Sequence, residues 1–169
     1  MTQPNHTLNS TKPQDVEAEH FRPVDLGDDA TVLGQYVVKN VSVFDHWLDE
    51  SEAAESGIMS YKLSVDSGQI EAYLAGEKRL LDFYKELARE GVIVDRPGPR
   101  RSLQSHDPEF EGVVRASLRE DRFMDAYFLR CKVRIIGHYD RTDLALFEGE
   151  ASVDDFIRLA TNHGLHLLK

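Results

Sequence analysis

Two spacings of apolar residues alternate along the chain, one of period two and one near 3.6, and together they outline an α+β protein. Gln35–Val41 is short and rich in β-branched residues, which predicts a strand. Ser42 then offers a helix cap with Asp45 three residues on, and Phe44, Trp47, Leu48 and Ala54 set an apolar stripe for a helix over 43–56 that Gly57 ends. Met59, Tyr61, Leu63 and Val65 alternate with Ser60, Lys62 and Ser64, the signature of a half-buried strand. Asp66-Ser67-Gly68 is turn chemistry, and Ile70, Ala72 and Leu74 place a return strand after it. Leu80, Phe83, Tyr84 and Leu87 then recur at helical spacing, which predicts an amphipathic helix over Glu77–Glu90, closed by Gly91 and followed by a strand over Val92–Asp95.

Residues 96–106 interrupt the pattern with two prolines, a glycine and three arginines, as a linker or functional loop does. Asp107-Pro108 opens a helix that Phe110, Val113, Val114 and Leu118 carry to about Arg122. A long strand is expected over Tyr127–Ile136, with Cys131 facing the same way as Leu129, Val133 and Ile135. A turn at His138–Asp143, a strand over Leu144–Glu148, a helix over 152–163 capped by Ser152 and stopped by Gly164, and a last strand over Leu165–Leu168 complete the reading.

A shift of 73 residues lays AYLAGEKRLLDFYKELAREGVIV on ALFEGEASVDDFIRLATNHGLHL without a gap, with six identities that include both glycine positions, Gly76 on Gly149 and Gly91 on Gly164. The expected fold class is therefore α+β with duplicated ferredoxin-like units of β-α-β-β-α-β type, antiparallel sheets carrying helices on one face. The expected organisation is a flexible N-terminal arm at 1–33, a first unit at 34–95, the Arg/Pro-rich loop at 96–106 and a second unit at 107–169, with both units able to form one compact domain. The two units could join edge to edge, or stack face to face around a cavity.

Composition narrows the function classes. At 169 residues, 41% hydrophobic and 30% charged, the chain is an ordinary globular sequence with one cysteine and no apolar run long enough for a bilayer. No basic or apolar leader opens it, so a cytoplasmic location is the expectation. Its net charge of −10 repels nucleic acid and anionic membranes at long range and suits a basic protein partner. That charge is uneven: residues 96–134 hold nine Lys/Arg against six Asp/Glu inside an otherwise acidic chain.

Candidate chemistry follows from that basic middle. Arg96, Arg100 and Arg101 lie in the loop, and Arg115, Arg119 and Arg122 recur along the next helix, so the six could form one face for an anionic ligand or partner. Ordinary surface ion pairs with Glu111, Glu120 or Asp121 are the alternative. His138, Asp140 and Arg141 make a second, loop-borne candidate. Seven histidines and one cysteine form no spacing that a metal site or a catalytic thiolate needs, and no cofactor, metal or catalytic set is assigned. Phe44 and Trp47 read as core, with a binding hot spot as the alternative.

The sequence thus points first to a non-catalytic, acidic interaction module of the inhibitor, immunity or adaptor kind, docking on the basic surface of another protein. The β-α-β-β-α-β order resembles that of ACT-type amino-acid-binding modules, which would imply a small-molecule sensor. An α+β-barrel enzyme with a site between two sheets is the third expectation.

Overall fold

The structure, a computed structural model, describes residues 19–168; of the arm expected over 1–33, residues 1–18 lie outside the described ones. In chain order the elements are α1 (Asp29–Gln35), β1 (Val37–Ser42), α2 (Glu50–Glu55), α3 (Tyr61–Asp66), α4 (Ile70–Leu87), β2 (Val92–Arg96), β3 (Arg101–Leu103), α5 (Pro108–Leu118), β4 (Asp125–Phe128), β5 (Val133–Ile136), β6 (Thr142–Phe147), α6 (Val153–Asn162) and β7 (His166–Leu168).

The seven strands form one sheet in the order β3-β2-β4-β5-β6-β1-β7, with every neighbouring pair antiparallel. β1 comes from the first half of the chain, yet it lies between β6 and β7 from the second. The sheet is therefore continuous across the 96–106 loop, and no second described sheet faces it across a cavity.

The alternation of side chains divides the sheet into two faces. Val41, Val92, Val94, Ala126, Phe128, Val133, Ile135, Ala145 and Phe147 point to the face covered by α4, α5 and α6, and form the main core with Leu80, Phe83, Tyr84, Phe110 and Phe156. Phe83 and Phe147 meet the Phe156 ring edge-on at 5.3 and 5.0 Å, an aromatic cluster that ties both long helices to the sheet. Full burial of each such ring stabilises the fold by about 2–3 kcal/mol.

The opposite face is covered differently. Over β2, β4 and β5 lies the segment before α1. Phe21 is buried with Ile93 and Tyr127, and His20 stacks on Tyr127 at 3.7 Å. The Arg134 guanidinium sits 5.4 Å from the Phe21 ring and donates to the Arg22 carbonyl at 2.6 Å. Residues 19–35 thus pack along the sheet, and α1 reaches the start of β1.

Several expected elements change class. Within the two aligned segments, a glycine with positive φ, Gly91 at 103° and Gly164 at 67°, separates the α4 and α6 regions from the strand that follows each. Upstream the two copies diverge, because residues 72–76 are helical in α4 whereas Ala145–Phe147 are strand. The expected 59–75 hairpin is helical. Ser60 caps α3 by accepting from the Leu63 amide at 3.2 Å, and the alternating Leu63 and Val65 face solvent instead of a core. Helix α4 starts at Ile70 because Tyr73, Gly76 and Glu77 extend its buried stripe by two turns.

The 43–56 helix shrinks to Glu50–Glu55, since Asp49 and Glu52 make a reciprocal capping box there while Ser42 stays in β1. The long strand over 127–136 is a hairpin. Its turn holds Cys131, and Lys132 there adopts φ 46°.

Candidate functional site

The six arginines expected to face an anion are mostly occupied by the chain's own carboxylates. Arg96 donates to Asp125 at 2.8 Å, and Arg100 lies 2.7 Å from Asp95. Arg101 bonds Glu109 and reaches the carbonyls of Pro97 and Pro99. Arg115 and Arg119 converge from α5 on Glu77 of α4, which is only 2% exposed: Arg115 donates at 2.7 Å, and Arg119 at 2.7 and 2.9 Å. Glu111 takes the rest of Arg115 and also Lys85, so its carboxyl is held below the usual range by Lys85 first and Arg115 second. The Arg119 guanidinium lies 4.4 Å over the Tyr61 ring. Arg122 is exposed, and its side chain has no hydrogen bond or ion pair among the described residues. An external anion would have to displace internal carboxylates at five of the six positions. The arrangement clamps α4 to α5 and the loop to the sheet.

The second candidate splits at the turn between β5 and β6. Asp140 and Arg141 both adopt left-handed backbone, φ 60° and 56°; Asp140 is exposed and Arg141 is buried. Arg141 runs into the helix layer, where it is buried, stacks 4.2 Å over Tyr73 and donates to the Tyr73 carbonyl at 2.9 Å. It has no carboxylate ion-pair partner among the described residues, and burial lowers its pKa to about 10. Glycine at 76 makes this possible, because a Cβ there would lie 2.2 Å from the guanidinium. Next to it Asp143 is buried on the core face, accepting from the Tyr84 hydroxyl at 2.5 Å and the His138 amide at 3.1 Å. Burial pushes its carboxyl up to about 6 and the Tyr84 hydroxyl well above its ordinary value. These groups hold the turn in place.

His138 and Asp140, both exposed, are among the residues that line a cavity of about 520 Å³ on the second face of the sheet. Its floor is Val38 and Asn40 of β1, Thr142 and Leu144 of β6, and Leu168 of β7, the even-numbered positions that the β1–β6 and β1–β7 registers set side by side. Leu26, Val32 and Leu33 make one wall, and the 44–48 segment with Met59 makes another. Thr142 is tied down by the Ser42 hydroxyl at 2.8 Å. The side chains of Asn40, His138 and Asp140 have no hydrogen-bond partner among the described residues. Four of the large exposed apolar residues ring this opening: Leu33 at 65%, Trp47 and Tyr139 at 55% and Leu26 at 45% exposed.

The rim is acidic. Residues 45–55 carry Asp45, Asp49, Glu50, Glu52 and Glu55 against no Lys or Arg. His46 sits between Asp45 at 2.6 Å and Glu52 at 3.0 Å, and these bonds raise its pKa, so one cation is balanced by two carboxylates. Trp47, read as core from its helical spacing, stands at this rim because the helix that would have buried it begins at Glu50. The signal for it in the sequence was an aromatic beside five carboxylates.

Among the described residues no three His, Cys, Asp or Glu side chains are grouped to hold a metal ion, and no described helix is long and apolar enough to cross a membrane. Cys131 is buried beside Asp155 at 3.6 Å, and burial, then the Asp155 charge, push its thiol up to about 12, far from a reactive thiolate. No protein-family model, curated protein or solved structure matches the chain.

Proposed function

We propose that the protein is a non-catalytic interaction module that docks a basic segment of a partner protein through the groove on the second face of its sheet. One observation carries this reading: among the described residues, four of the eight large exposed apolar ones surround one concave opening, where Asp45 and Glu52 flank His46. Trp47 and Tyr139 have the side-chain type of interface anchors, large and rigid with a polar edge. The acidic rim would speed encounter with a basic partner and reject acidic ones. The satisfied arginines support the same choice, since they leave no comparable free cationic face.

Trp47 is the only tryptophan in the chain, so its fluorescence reports the groove directly. The test is a titration with a 14-residue amphipathic Leu/Lys peptide and its Leu/Glu counterpart, at low and high salt. Saturable change with the Lys peptide, weakened by salt and by Y139A, is the expected result. An equal response to the Glu peptide, or none to either, overturns the reading.

A small-molecule sensor is the second reading, and the cavity volume favours it, because about 520 Å³ falls in the range of drug-sized ligand pockets. Under that reading neutral metabolites would raise the melting temperature while the Lys peptide leaves Trp47 unchanged.

A further inference from the structure

The groove is mostly apolar along its walls, yet its floor and one end hold three polar side chains, Asn40, His138 and Asp140, that have no hydrogen-bond partner among the described residues. Asn40 is half-buried on the floor, with Leu144 as its cross-strand partner and Leu168 on its other side. Asp140 and His138 stand at the end formed by the β5–β6 turn. In a folded protein polar side chains inside a concave apolar surface are usually bonded, and those left free are available to a ligand. Their chemistry has a sign. Asp140 is an acceptor only, Asn40 offers a carbonyl oxygen, and the imidazole of His138 offers a ring nitrogen, so all three can accept hydrogen bonds. No Lys or Arg lines the cavity, and His46 is already bonded by two carboxylates.

We infer that the groove receives one lysine or arginine side chain of the docked segment, its methylene stem against Val38, Leu144 and Leu168 and its cationic head between Asp140, Asn40 and His138. A long aliphatic stem with a charged tip matches such a cavity, since the stem gains burial while the head keeps acceptors around it. The acidic rim attracts the segment as a whole, and the free acceptors select one position in it. An apolar side chain there would strand Asp140 and Asn40 away from water, which is a selection against it. In the same left-handed turn Arg141 is buried and anchored to the Tyr73 carbonyl, while Asp140 stays exposed at the end of the groove.

This inference rests on the docking reading, and a double-mutant cycle separates the two. Each lysine of the Leu/Lys peptide is replaced in turn by norleucine, which keeps the stem and removes the charge. Binding to the wild type and to D140N is then read from Trp47 fluorescence. Asparagine tolerates the left-handed conformation at 140, so the turn is retained, and a urea midpoint equal to that of the wild type checks it. One lysine position is expected to lose 10-fold or more in affinity on the wild type and less than 2-fold on D140N. N40A provides a second variant, with the same position affected. Binding in which no lysine position differs between wild type and either variant overturns the inference while the docking reading stands. Absence of any peptide binding overturns both.

Discussion

Replacing Glu77 is the sharpest perturbation the structure offers. Its carboxylate is 2% exposed and receives three charged hydrogen bonds, from Arg115 at 2.7 Å and Arg119 at 2.7 and 2.9 Å, across the contact between α4 and α5. Breaking a buried ion pair from one side costs about 3–5 kcal/mol, most of it from the charge left behind. Here the partners left behind are partly wet, with side-chain exposures of 41% for Arg115 and 29% for Arg119, so water recovers part of that loss. The expected cost of E77A is therefore about 2–4 kcal/mol. E77Q keeps the volume and one acceptor oxygen but turns an amide donor against a guanidinium, and about 1–3 kcal/mol is expected. For a domain of this length 3 kcal/mol corresponds to roughly 6–12 °C in melting temperature. Urea denaturation of E77A, E77Q, R119A and the E77A/R119A double variant measures this. The double variant should be at least about 1 kcal/mol more stable than the sum of the singles, because removing both partners leaves less charge stranded. An E77Q midpoint within about 0.5 kcal/mol of the wild type, with additive singles, would refute the clamp.

Three further outcomes are expected. G76A should destabilise by about 1–3 kcal/mol despite the better helix propensity of alanine, because its Cβ would meet the buried Arg141 guanidinium, whereas G112A, on the open face of α5, should stabilise by up to about 1 kcal/mol. Asp143 has its folded-state pKa raised from 3.8 to about 6, so the stability this group allows is full below pH 3.8 and is lost as pH rises through about 6. D143N should therefore gain on the wild type between pH 4 and pH 8, by at most about 3 kcal/mol, and a difference independent of pH in paired urea titrations would contradict the assignment. Cys131, buried with its thiol raised to about 12, should react with an aromatic disulfide reagent only after unfolding, and fast labelling of the native protein would show the turn to be open.

Local chemistry determined a good share of the structure. The α+β class, the C-terminal part of α4, α5, α6, the strands after Gly91 and Gly164 and a turn before Thr142 follow from short-range rules: helical spacing of large apolar residues, a proline at the first helical position, and glycine where the backbone turns left-handed; the strand then starts at Thr142, two residues earlier than the turn chemistry of 138–143 implies. The elements that changed class are those in which two local rules competed. Tyr61, Leu63 and Val65 alternate like a strand, but Ser60 caps a helix there by accepting from the Leu63 amide. Tyr73, Gly76 and Glu77 hid the first turns of α4, since a stripe holding glycine and glutamate does not read as apolar until two arginines from α5 neutralise the carboxylate.

Tertiary structure alone decided the rest. Whether β1 would sit beside β6 and β7 depends on long-range pairing, which no local pattern encodes, and that pairing joined both halves into one sheet. The same pairing set Asn40, Leu144 and Leu168 side by side and so created the groove. Burial chose among the charges: Arg115 and Arg119, which look free along the chain, are bonded once the one Glu77 carboxylate, 38 and 42 residues away, folds against them. The reason is general to this fold. Charge and periodicity belong to residues, whereas a partner for a buried ion, or an acceptor left without one, exists only after distant segments have been brought together.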